Sequence, residues 1–309
     1  MKTLVVDGNN AAWRLMKRLP ELSVKGQQVQ IVYGMMRLLR NVLVQFRPNV
    51  VLVCWDLGKS AWRMKAFPAY KAHRSHSRTE ADKAEFSSFM NQTILLQDVL
   101  TKLNVAQVAY PETEADDLMA VACDCLDGEK VIVSSDQDML HLVRRNVSVW
   151  SPNKTMLYNH KNFHKEIGMT PNQWLDFRAL TGDSSDGIPG VAKGFGETSA
   201  KELIQKYGSL EEIFRSKVQK RIMRMGNRMA LICTEEARLQ AYLNLTLMDL
   251  RTISIRPGRE ELVNLIQKSV AARHKVKRSD VQHYFTEKKF VSLLADLPKF
   301  LSAFEDLDS

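Results

Sequence analysis

The sequence predicts an α/β fold with a mostly parallel sheet flanked by helices. Three short apolar runs carry this prediction, because buried parallel strands read as continuous stretches of β-branched and aliphatic residues. The runs are Thr3–Val6, Val50–Trp55 and Val131–Val133. Between the first two, Val29–Phe46 places apolar side chains at helical spacing, which is typical of a helix that connects parallel strands.

An aspartate follows each of the three runs, at Asp7, Asp56 and Asp136. Because ligands of a parallel sheet lie outside the carboxyl ends of its strands, we expect these carboxylates to point to one place. Six further acids stand later in the chain: Glu114, Asp116, Asp117, Asp138, Asp183 and Asp186. Taken singly, each of these six also has a structural explanation, in the first turn of a helix or in a turn.

Crowded carboxylates repel one another unless cations lie among them, so the whole set predicts a metal site. Oxygen ligands suit Mg²⁺ or Mn²⁺, and a pair of such ions is typical of in-line displacement at phosphorus. We expect one ion at Asp56, Glu114, Asp116 and Asp117. We expect the other at Asp136, Asp138, Asp183 and Asp186, with Asp7 between the two or acting through water.

The composition bounds the class of protein. A chain of 309 residues allows one sizeable α/β domain and a smaller module. The net charge of +9 fits a polyanionic substrate held by a basic exterior, although a generally basic surface would give the same number. The four cysteines lack zinc-binding spacing and the chain has no membrane-spanning apolar stretch, so we expect a cytoplasmic protein with reduced thiols.

Two further segments suggest contacts with a nucleic acid. From Gly58 to about Arg78, cations alternate with aromatic residues, which suits phosphate contacts and base stacking on a single strand, or simply a solvated loop. The glycine-rich segment Gly182–Gly196 precedes a helix at about Thr198–Tyr207, and this arrangement favours a helix-hairpin-helix that holds a phosphate backbone. Leu245–Ile255 has some strand character and is expected at the sheet edge.

Seven sequence motifs together resemble the structure-specific 5′-nucleases, that is, flap endonucleases and the 5′–3′ exonucleases of bacteriophages and of bacterial DNA polymerase I. They run in the family's order over residues 3–215: LVVDGNN, VLVCWD, FPAYKAHR, ETEADD, VSSDQDML, TGDSSDGIPGV and KGFGETSAKELIQKYGSLEEI. The resemblance implies a PIN-like catalytic domain at 1–165 with an arch at about 58–95, and a helix-three-turn-helix module at 166–230. Residues 231–309 are expected to form a mostly helical region that packs back on the core.

The resemblance also implies roles for individual residues. Lys71 falls on the arch lysine that contacts the scissile phosphate, with Arg74 or Arg78 as the second cation. The DNA-binding positions are Tyr70, Gly190, Lys193, Gly194, Gly196, Thr198 and Lys201. The family's hairpin also holds a potassium ion through backbone carbonyls, here expected at Ser185, Ile188 and Val191. An extra residue in GVAKGFG and the threonine in GETSA depart from the family pattern at the ion site and at one phosphate contact.

The resulting hypothesis is a monomeric, metal-dependent 5′-nuclease that cleaves branched or nicked DNA in replication and repair. RNA primers paired to DNA are a further expected substrate. Attack of water on phosphorus would leave a 5′-phosphate and a 3′-hydroxyl. Two alternatives stay open: a catalytically silent protein that binds DNA structures, and a PIN-type RNA endonuclease. The motifs leave open the preference between endonucleolytic and exonucleolytic cleavage, and the replication proteins that would act as partners.

Overall fold

A six-stranded sheet forms the centre of the structure, a computed structural model that describes residues 1–75, 79–256, 258–305 and 307. The strands are β1 (Lys2–Asp7), β2 (Ser23–Val24), β3 (Gln27–Gln28), β4 (Val50–Trp55), β5 (Ala106–Ala109), β6 (Glu129–Val133), β7 (Val147–Ser151) and β8 (Met156–Tyr158). The sheet order is β5-β4-β1-β6-β7-β8, whereas β2 and β3 form a separate hairpin. Only the β7–β8 pair within the sheet is antiparallel, which confirms the predicted mostly parallel α/β fold.

Helices cover both faces of the sheet and form most of the chain after residue 160. In the first part they are α1 (Gly8–Arg18), α2 (Gln30–Phe46), α3 (Ala61–Ala66), α4 (Glu80–Lys102), α5 (Ala115–Cys125) and α6 (Phe163–Ile167). The second part contains α7 (Pro171–Thr181), α8 (Glu197–Tyr207), α9 (Leu210–Ile213), α10 (Ser216–Ile222), α11 (Asn227–Ala230) and α12 (Glu235–Met248). The last part contains α13 (Arg259–Ala271), α14 (Arg278–Glu287), α15 (Val291–Leu294) and α16 (Leu297–Glu305).

The strand residues divide between two cores because successive side chains point to opposite faces of a sheet. Leu4 and Val6 pack with α1, α2 and α4 on one face, whereas Val5 packs with α5 on the other. Both faces are buried, which explains why the sequence shows continuous apolar runs instead of alternation. Since β1 lies between β4 and β6, its carboxyl end is flanked by the ends of both neighbours.

The segment predicted as an arch leaves the sheet after β4 and returns through α4. Thr79 caps α4 with a reciprocal pair of hydrogen bonds to Asp82, which form a capping box. The helix is exposed on most sides up to Ser88, but from Phe89 onward one face is buried in the core. Arg74 belongs to a 3₁₀ turn at Ala72–Ser75, and the predicted Arg78 lies outside the described residues.

The second part of the chain is a helical module in which α7 packs against both α8 and α12. The buried Asn244 of α12 donates its amide protons to the carbonyls of Ala179 (2.9 Å) and Pro189 (2.8 Å). This contact fastens α12 to the glycine-rich hairpin, so the packing carries the module past the predicted boundary at residue 230. The expectation of an edge strand at Leu245–Ile255 is wrong: the segment ends α12 and continues as a 3₁₀ helix at Leu250–Ile255.

The C-terminal helices pack on the first domain. Helix α13 packs on α5 at one face of the sheet. On the other face, α16 packs on α2, and four phenylalanines join the core there: Phe285, Phe290, Phe300 and Phe304. In the part of the chain that the structure describes, every helix is too short or too polar to cross a bilayer.

The Asn244 contact can be tested by replacing the residue with alanine. We expect Asn244→Ala to lower the free energy of unfolding by about 2–4 kcal/mol, because two buried carbonyls lose their donor. Urea denaturation measures the loss. The matched control is Gln205→Ala, which removes an exposed side chain that donates to the Gly168 carbonyl and should change stability by less than about 0.5 kcal/mol. Equal effects of the two substitutions would contradict this role of Asn244.

Candidate active site

The carboxyl ends of β1 and β6 are joined by a chain of hydrogen bonds. Asp7 closes β1 and caps α1 by accepting a hydrogen bond from the Asn10 N–H at 2.9 Å. Its other carboxylate oxygen accepts from the Ser134 hydroxyl at 3.1 Å, and that hydroxyl in turn accepts from the Asp136 N–H at 3.0 Å. The first and third of the predicted strand-end aspartates are therefore neighbours.

Asp56, the second strand-end aspartate, connects β4 to the start of α5. Its Oδ1 atom accepts a hydrogen bond from the Ala115 N–H at 2.7 Å, so it holds the helix that carries Asp116. Its own N–H donates to the side-chain oxygen of Asn9 at 3.0 Å. The structure thus brings the carboxyl ends of β1, β4 and β6 together, as the sequence predicted. We call this end of the sheet the acidic edge.

The carboxylates at this edge disturb one another's ionisation. Burial, together with the neighbouring charge of Asp56, raises the pKa of Asp7 from its ordinary 3.8 to about 7. Burial and the charge of Asp136 raise the pKa of Asp138 to about 7 as well. The pKa of Asp116 lies well above its ordinary value because the side chain is desolvated and faces Asp136 and Asp7. Burial also raises the pKa of Asp136, which faces Asp186 and Asp183.

Arg63 is an internal counter-ion, although its place in the basic arch segment suggested a phosphate contact. Its guanidinium bonds both carboxylate oxygens of Asp117, at 2.8 and 2.9 Å, and also Glu114 at 3.1 Å. Its Nε atom donates to the Leu247 carbonyl at the end of α12. The side chains of Arg63 and Asp117 are only 4% and 3% exposed. The structure therefore does not present Asp117 as an available metal ligand, because Arg63 occupies both of its oxygens.

Lys71 and Tyr70 also point into the acidic edge instead of outward. The Lys71 ammonium lies 2.6 Å from Glu114 Oε1 and 3.6 Å from Asp186 Oδ2. The Tyr70 hydroxyl lies 2.8 Å from Glu114 and 3.1 Å from Asp186, and the residue is 3% exposed. Tyr70 is thus buried and positions carboxylates, and its role in DNA binding stays a prediction. Burial alone would raise the pKa of Glu114, but Lys71 and Arg63 outweigh it and lower the pKa.

The third internal cation is Arg178 of α7. It lies between Asp138, which follows β6, and Asp183, which begins the glycine-rich hairpin. Burial would raise the pKa of Asp183, but hydrogen bonds from Ser185 and the charge of Arg178 lower it. Arg178 therefore connects the acidic edge of the sheet with the helical module.

The donor chemistry of this edge fits hard divalent cations. Eight carboxylates, which we call the acidic cluster, supply only oxygen ligands: Asp7, Asp56, Glu114, Asp116, Asp136, Asp138, Asp183 and Asp186. The raised pKa values of Asp7, Asp116, Asp136 and Asp138 mean that the charged forms need added positive charge. Within the described residues, no group of three His, Cys, Asp or Glu side chains surrounds a single point. Lys71 and Arg178 form ion pairs with carboxylate oxygens of the cluster, those of Glu114 and Asp183.

The glycine-rich hairpin presents an exposed surface beside the acidic cluster. Asp183 and Ile188 pair through their backbones, and Gly182 turns the chain with a φ of +73°, where a Cβ would lie 2.5 Å from the Ile188 carbonyl. The hairpin meets the base of the arch, because the Lys71 N–H donates to the Asp186 carbonyl at 2.8 Å. Gly190 packs against the end of α7, where an added Cβ would lie 2.9 Å from the Thr181 carbonyl oxygen.

The predicted DNA-binding positions after the hairpin share one exposed region. Helix α8 begins there, with Gly196 as its N-cap. The exposed residues of the predicted set are Lys193, Gly194, Gly196, Thr198 and Lys201. A helix start with nearby lysines is suited to a phosphate group, because free N–H groups and positive charge coincide.

A cleft of about 750 Å³ opens next to Asp56, between α1, the start of the arch and α4. Trp13 of α1 stacks on Phe89 of α4 with ring centroids 4.0 Å apart, and Phe86 extends this aromatic wall. The exposed Lys59 also lines the cleft. The cleft therefore combines an aromatic surface and a cation with three lining carboxylates, those of Asp56, Asp82 and Glu85.

Comparisons with known proteins agree with this geometry. Residues 2–168 match the family described as "5'-3' exonuclease, N-terminal resolvase-like domain", and residues 169–261 match "5'-3' exonuclease, C-terminal SAM fold". The chain belongs to the 5′–3′ exonuclease family. This membership confirms the resemblance drawn from the motifs.

Two of the relatives with similar sequences are DNA polymerase I proteins. The chain is 34% identical over 218 residues to the thermostable DNA polymerase I of Thermus filiformis, covering 70% of this chain and 25% of that protein. It is 31% identical over 317 residues to DNA polymerase I of Caldicellulosiruptor bescii, covering 96% of this chain and 36% of that protein. The chain thus spans about a quarter to a third of the length of these curated relatives.

A solved structure shows the same fold. The bacteriophage T5 D15 flap endonuclease, in a variant complex with DNA and metal ions, superimposes with a TM-score of 0.71 at 20% identity. The match covers 88% of this chain and 100% of that one. The relatives' crystal structures therefore include divalent metal ions, and at this identity the likeness supports the fold alone.

Sequence reasoning missed some residues of this exonuclease-family site and misplaced others. Arg63 looked like one more arch cation, and Arg178 carried no motif signal beyond its place five residues before Asp183. Ser134 and Asn9 stand inside the quoted motifs, but their hydrogen bonds to Asp7 and Asp56 depend on how neighbouring strands align. Hydrogen-bonding residues next to strand-end aspartates were the only signal available.

The raised pKa values predict how pH changes the stability of the metal-free exonuclease-family chain. Asp7 and Asp138 have folded pKa values of about 7 against an ordinary 3.8, so between those values the folded state keeps protons that the unfolded state releases. Their contribution to stability therefore falls as pH rises from about 4 to about 7. We expect 10 mM Mg²⁺ to raise Tm by roughly 5 °C at pH 8 but by less than about 1 °C at pH 5.

Differential scanning fluorimetry with and without EDTA measures this difference. The control is Asp136→Asn, which should lose most of the Mg²⁺-dependent gain at pH 8. Equal Mg²⁺ stabilisation at both pH values would contradict the assignment.

Removing Arg63 should destabilise the protein strongly. We expect Arg63→Met to lower the free energy of unfolding by about 3–5 kcal/mol, because Asp117 and Glu114 remain buried without their counter-ion. Urea denaturation provides the measurement. The matched control is Arg144→Met, whose ion pair with Asp124 is partly exposed at 37% and 28% and should contribute less than about 1 kcal/mol. If both variants lost the same small amount, Arg63 would not be an internal counter-ion.

Proposed function

We propose that this chain is a divalent-metal-dependent, structure-specific 5′-nuclease that hydrolyses phosphodiesters in branched or nicked DNA, with RNA primers paired to DNA as a further substrate. The observation that carries the proposal is the acidic cluster at the joined ends of β1, β4 and β6, together with the exposed start of α8. Family membership supports the same reaction class. One relative's structure contains DNA, which makes DNA the first substrate to test.

The acidic cluster would hold Mg²⁺ or Mn²⁺. Bound there, two such cations supply positive charge for the attacking water and for the leaving oxygen. Asp7, Asp56, Asp116 and Asp136 are the best placed ligands, because three of them have raised pKa values and Asp56 adjoins the open cleft. Asp117 holds α5 in place through Arg63 instead of binding an ion itself.

Lys71 would stabilise the negative charge that develops on the phosphoryl oxygens. Its ammonium lies at the acidic cluster and stays protonated, because Glu114 and Asp186 raise its pKa against the opposing effect of burial. A phosphate that enters the site would give the ammonium a second anionic partner at the reacting centre. Arg74 and Arg78 remain candidates for the second arch cation.

The DNA would be held on both sides of the acidic cluster. The start of α8, with Lys193 and Lys201, would contact phosphates of the duplex. Unpaired nucleotides would enter the cleft beside Asp56, where Trp13 offers a stacking surface. A potassium ion at the carbonyls of Ser185, Ile188 and Val191 remains part of the proposal as a brace for the hairpin.

A cleavage assay tests the proposal with a labelled 5′-flap duplex and Mg²⁺. We expect products with 5′-phosphate and 3′-hydroxyl ends, and a rate at least roughly a hundred-fold lower for Asp136→Asn because a ligand of the reacting centre loses its charge. The control is Lys268→Met, which removes an exposed cation on α13 and should cut normally. If the wild-type chain binds the flap with the same affinity in EDTA as in Mg²⁺, and does not cut it in Mg²⁺, the silent DNA-binding alternative replaces the proposal.

The hairpin separates the proposal from the RNA endonuclease alternative. Replacing Lys193 and Lys201 with glutamate should weaken duplex binding, because two cations at the phosphate-binding surface become anions. Fluorescence anisotropy at fixed salt measures the affinity. Cleavage of single-stranded RNA that survives this double substitution, together with unchanged duplex binding, would favour the alternative.

A further inference from the structure

Arg178 has an unusual position for an arginine in a cluster of acids that are expected to bind cations. Its Nε and Nη2 atoms lie 2.9 and 2.8 Å from Asp138 Oδ1, and Nη2 lies 2.6 Å from Asp183 Oδ2. The three side chains are each 15–17% exposed. The guanidinium therefore sits between two of the four carboxylates that the sequence assigned to one metal ion.

The contacts leave Asp183 with few free lone pairs. Its Oδ2 atom is held by Arg178, and its Oδ1 atom accepts from the backbone N–H of Ser185 at 2.8 Å and from the Ser185 hydroxyl at 2.7 Å. Asp138 is held by two nitrogens of the same guanidinium. A cation that needs oxygens from both acids has to move Arg178 away or accept its repulsion.

Arginine keeps its positive charge, so it competes with a cation at every pH at which the protein is folded. A guanidinium stays protonated at every pH at which a protein is folded, so it cannot leave as a neutral group in the way that a buried lysine can. Its fork also bonds two carboxylates at once, which a single ammonium does less well. Asp7, by contrast, accepts hydrogen bonds from two neutral donors, the Asn10 N–H and the Ser134 hydroxyl.

We propose that Arg178 occupies the second cation position of the acidic cluster and competes there with the divalent ion. The two metal positions of this chain are consequently unequal: the one at Asp138 and Asp183, where Arg178 lies, binds the ion more weakly than the one at Asp7 and Asp116. The inference rests on the proposed function for the use of the ions, but the competition itself concerns metal binding alone. Arg178 is accordingly a specificity-determining residue for metal occupancy.

A purely structural role makes a different prediction. Arg178 lies on α7 of the helical module, whereas Asp138 follows β6, so the same contacts also join the two parts of the chain. If cross-linking were its whole role, removing the guanidinium would lower Tm and leave the metal affinities unchanged. Metal affinity and thermal stability therefore have to be measured on the same variants.

The test measures Mn²⁺ binding to the full chain without DNA, at pH 8, from the electron paramagnetic resonance signal of free Mn²⁺. Arg178→Leu removes the charge and Arg178→Lys retains it. For Arg178→Leu we expect the dissociation constant of the weaker site to fall at least about ten-fold, because one positive charge leaves the immediate surroundings of the ion. The tighter site should be unchanged, and Arg178→Lys should remain close to the wild type.

Two further variants complete the design. Arg144→Leu is the matched control, since it removes an arginine that pairs with Asp124 and a main-chain carbonyl far from the acidic cluster, and it should leave both dissociation constants unchanged. Arg178→Gln keeps hydrogen-bond donors without charge and gives the same test if the leucine variant does not fold. An unchanged or weakened second site in a neutral variant with a native near-ultraviolet circular dichroism spectrum overturns the inference.

The outcome is separable from that of the proposed function. A ten-fold tighter second site in a chain that never cuts flap DNA would uphold the competition and reject the nuclease proposal. Flap cleavage by the wild-type chain, with metal affinities unchanged in the neutral variants, would uphold the nuclease proposal and reject the competition. For an active nuclease, the half-saturating Mg²⁺ concentration for cleavage should also fall in Arg178→Leu.

Discussion

The structure depends on a balance of charge at the carboxyl edge of the sheet. Eight carboxylates lie at the carboxyl ends of β1, β4 and β6 and on the segments packed there, and burial raises the pKa of several of them. Three internal cations offset part of this repulsion: Arg63, Lys71 and Arg178. Each comes from a segment outside the sheet, so the arch and the helical module can fold against the sheet only where their cations meet its acids. Charge balance thereby fixes the relative positions of the parts as well as the chemistry of the site.

This balance explains why the base of the arch and the hairpin are joined. Lys71 reaches Glu114 of the first domain and Asp186 of the hairpin at once, while its own N–H donates to the Asp186 carbonyl. Arg63 performs a similar function between α5 and the end of α12. A change at any one of these cations is therefore felt at two places in the fold. The positions of the carboxylates and of the glycine-rich hairpin are coupled through the same side chains.

The sequence was sufficient for the features that local patterns determine. Continuous apolar runs identify β1, β4 and β6, and the position of Asp7, Asp56 and Asp136 at strand ends predicts that they lie together. It failed where the decisive contact is distant in sequence. Arg63 and Asp117 are 54 residues apart, and no periodicity shows that this arginine points inward. The inward orientation of Tyr70 is hidden for the same reason, because a tyrosine in a basic segment resembles a stacking residue, whereas its hydroxyl lies beside Glu114.

The misassigned strand at Leu245–Ile255 shows a different limit. Its β-branched and leucine residues serve two environments in turn: Leu247 packs in the helical module near Tyr70, and Leu250 and Ile253 pack on the α5 side of the sheet. A segment that turns between two cores needs apolar residues on several sides, and such a pattern resembles a buried strand. The same turn carries the Leu247 carbonyl to Arg63. The apolar content that misled the sequence reading is thus what brings the end of α12 to the counter-ion of the acidic edge, and the electrostatic balance relies on this hydrophobic packing for its geometry.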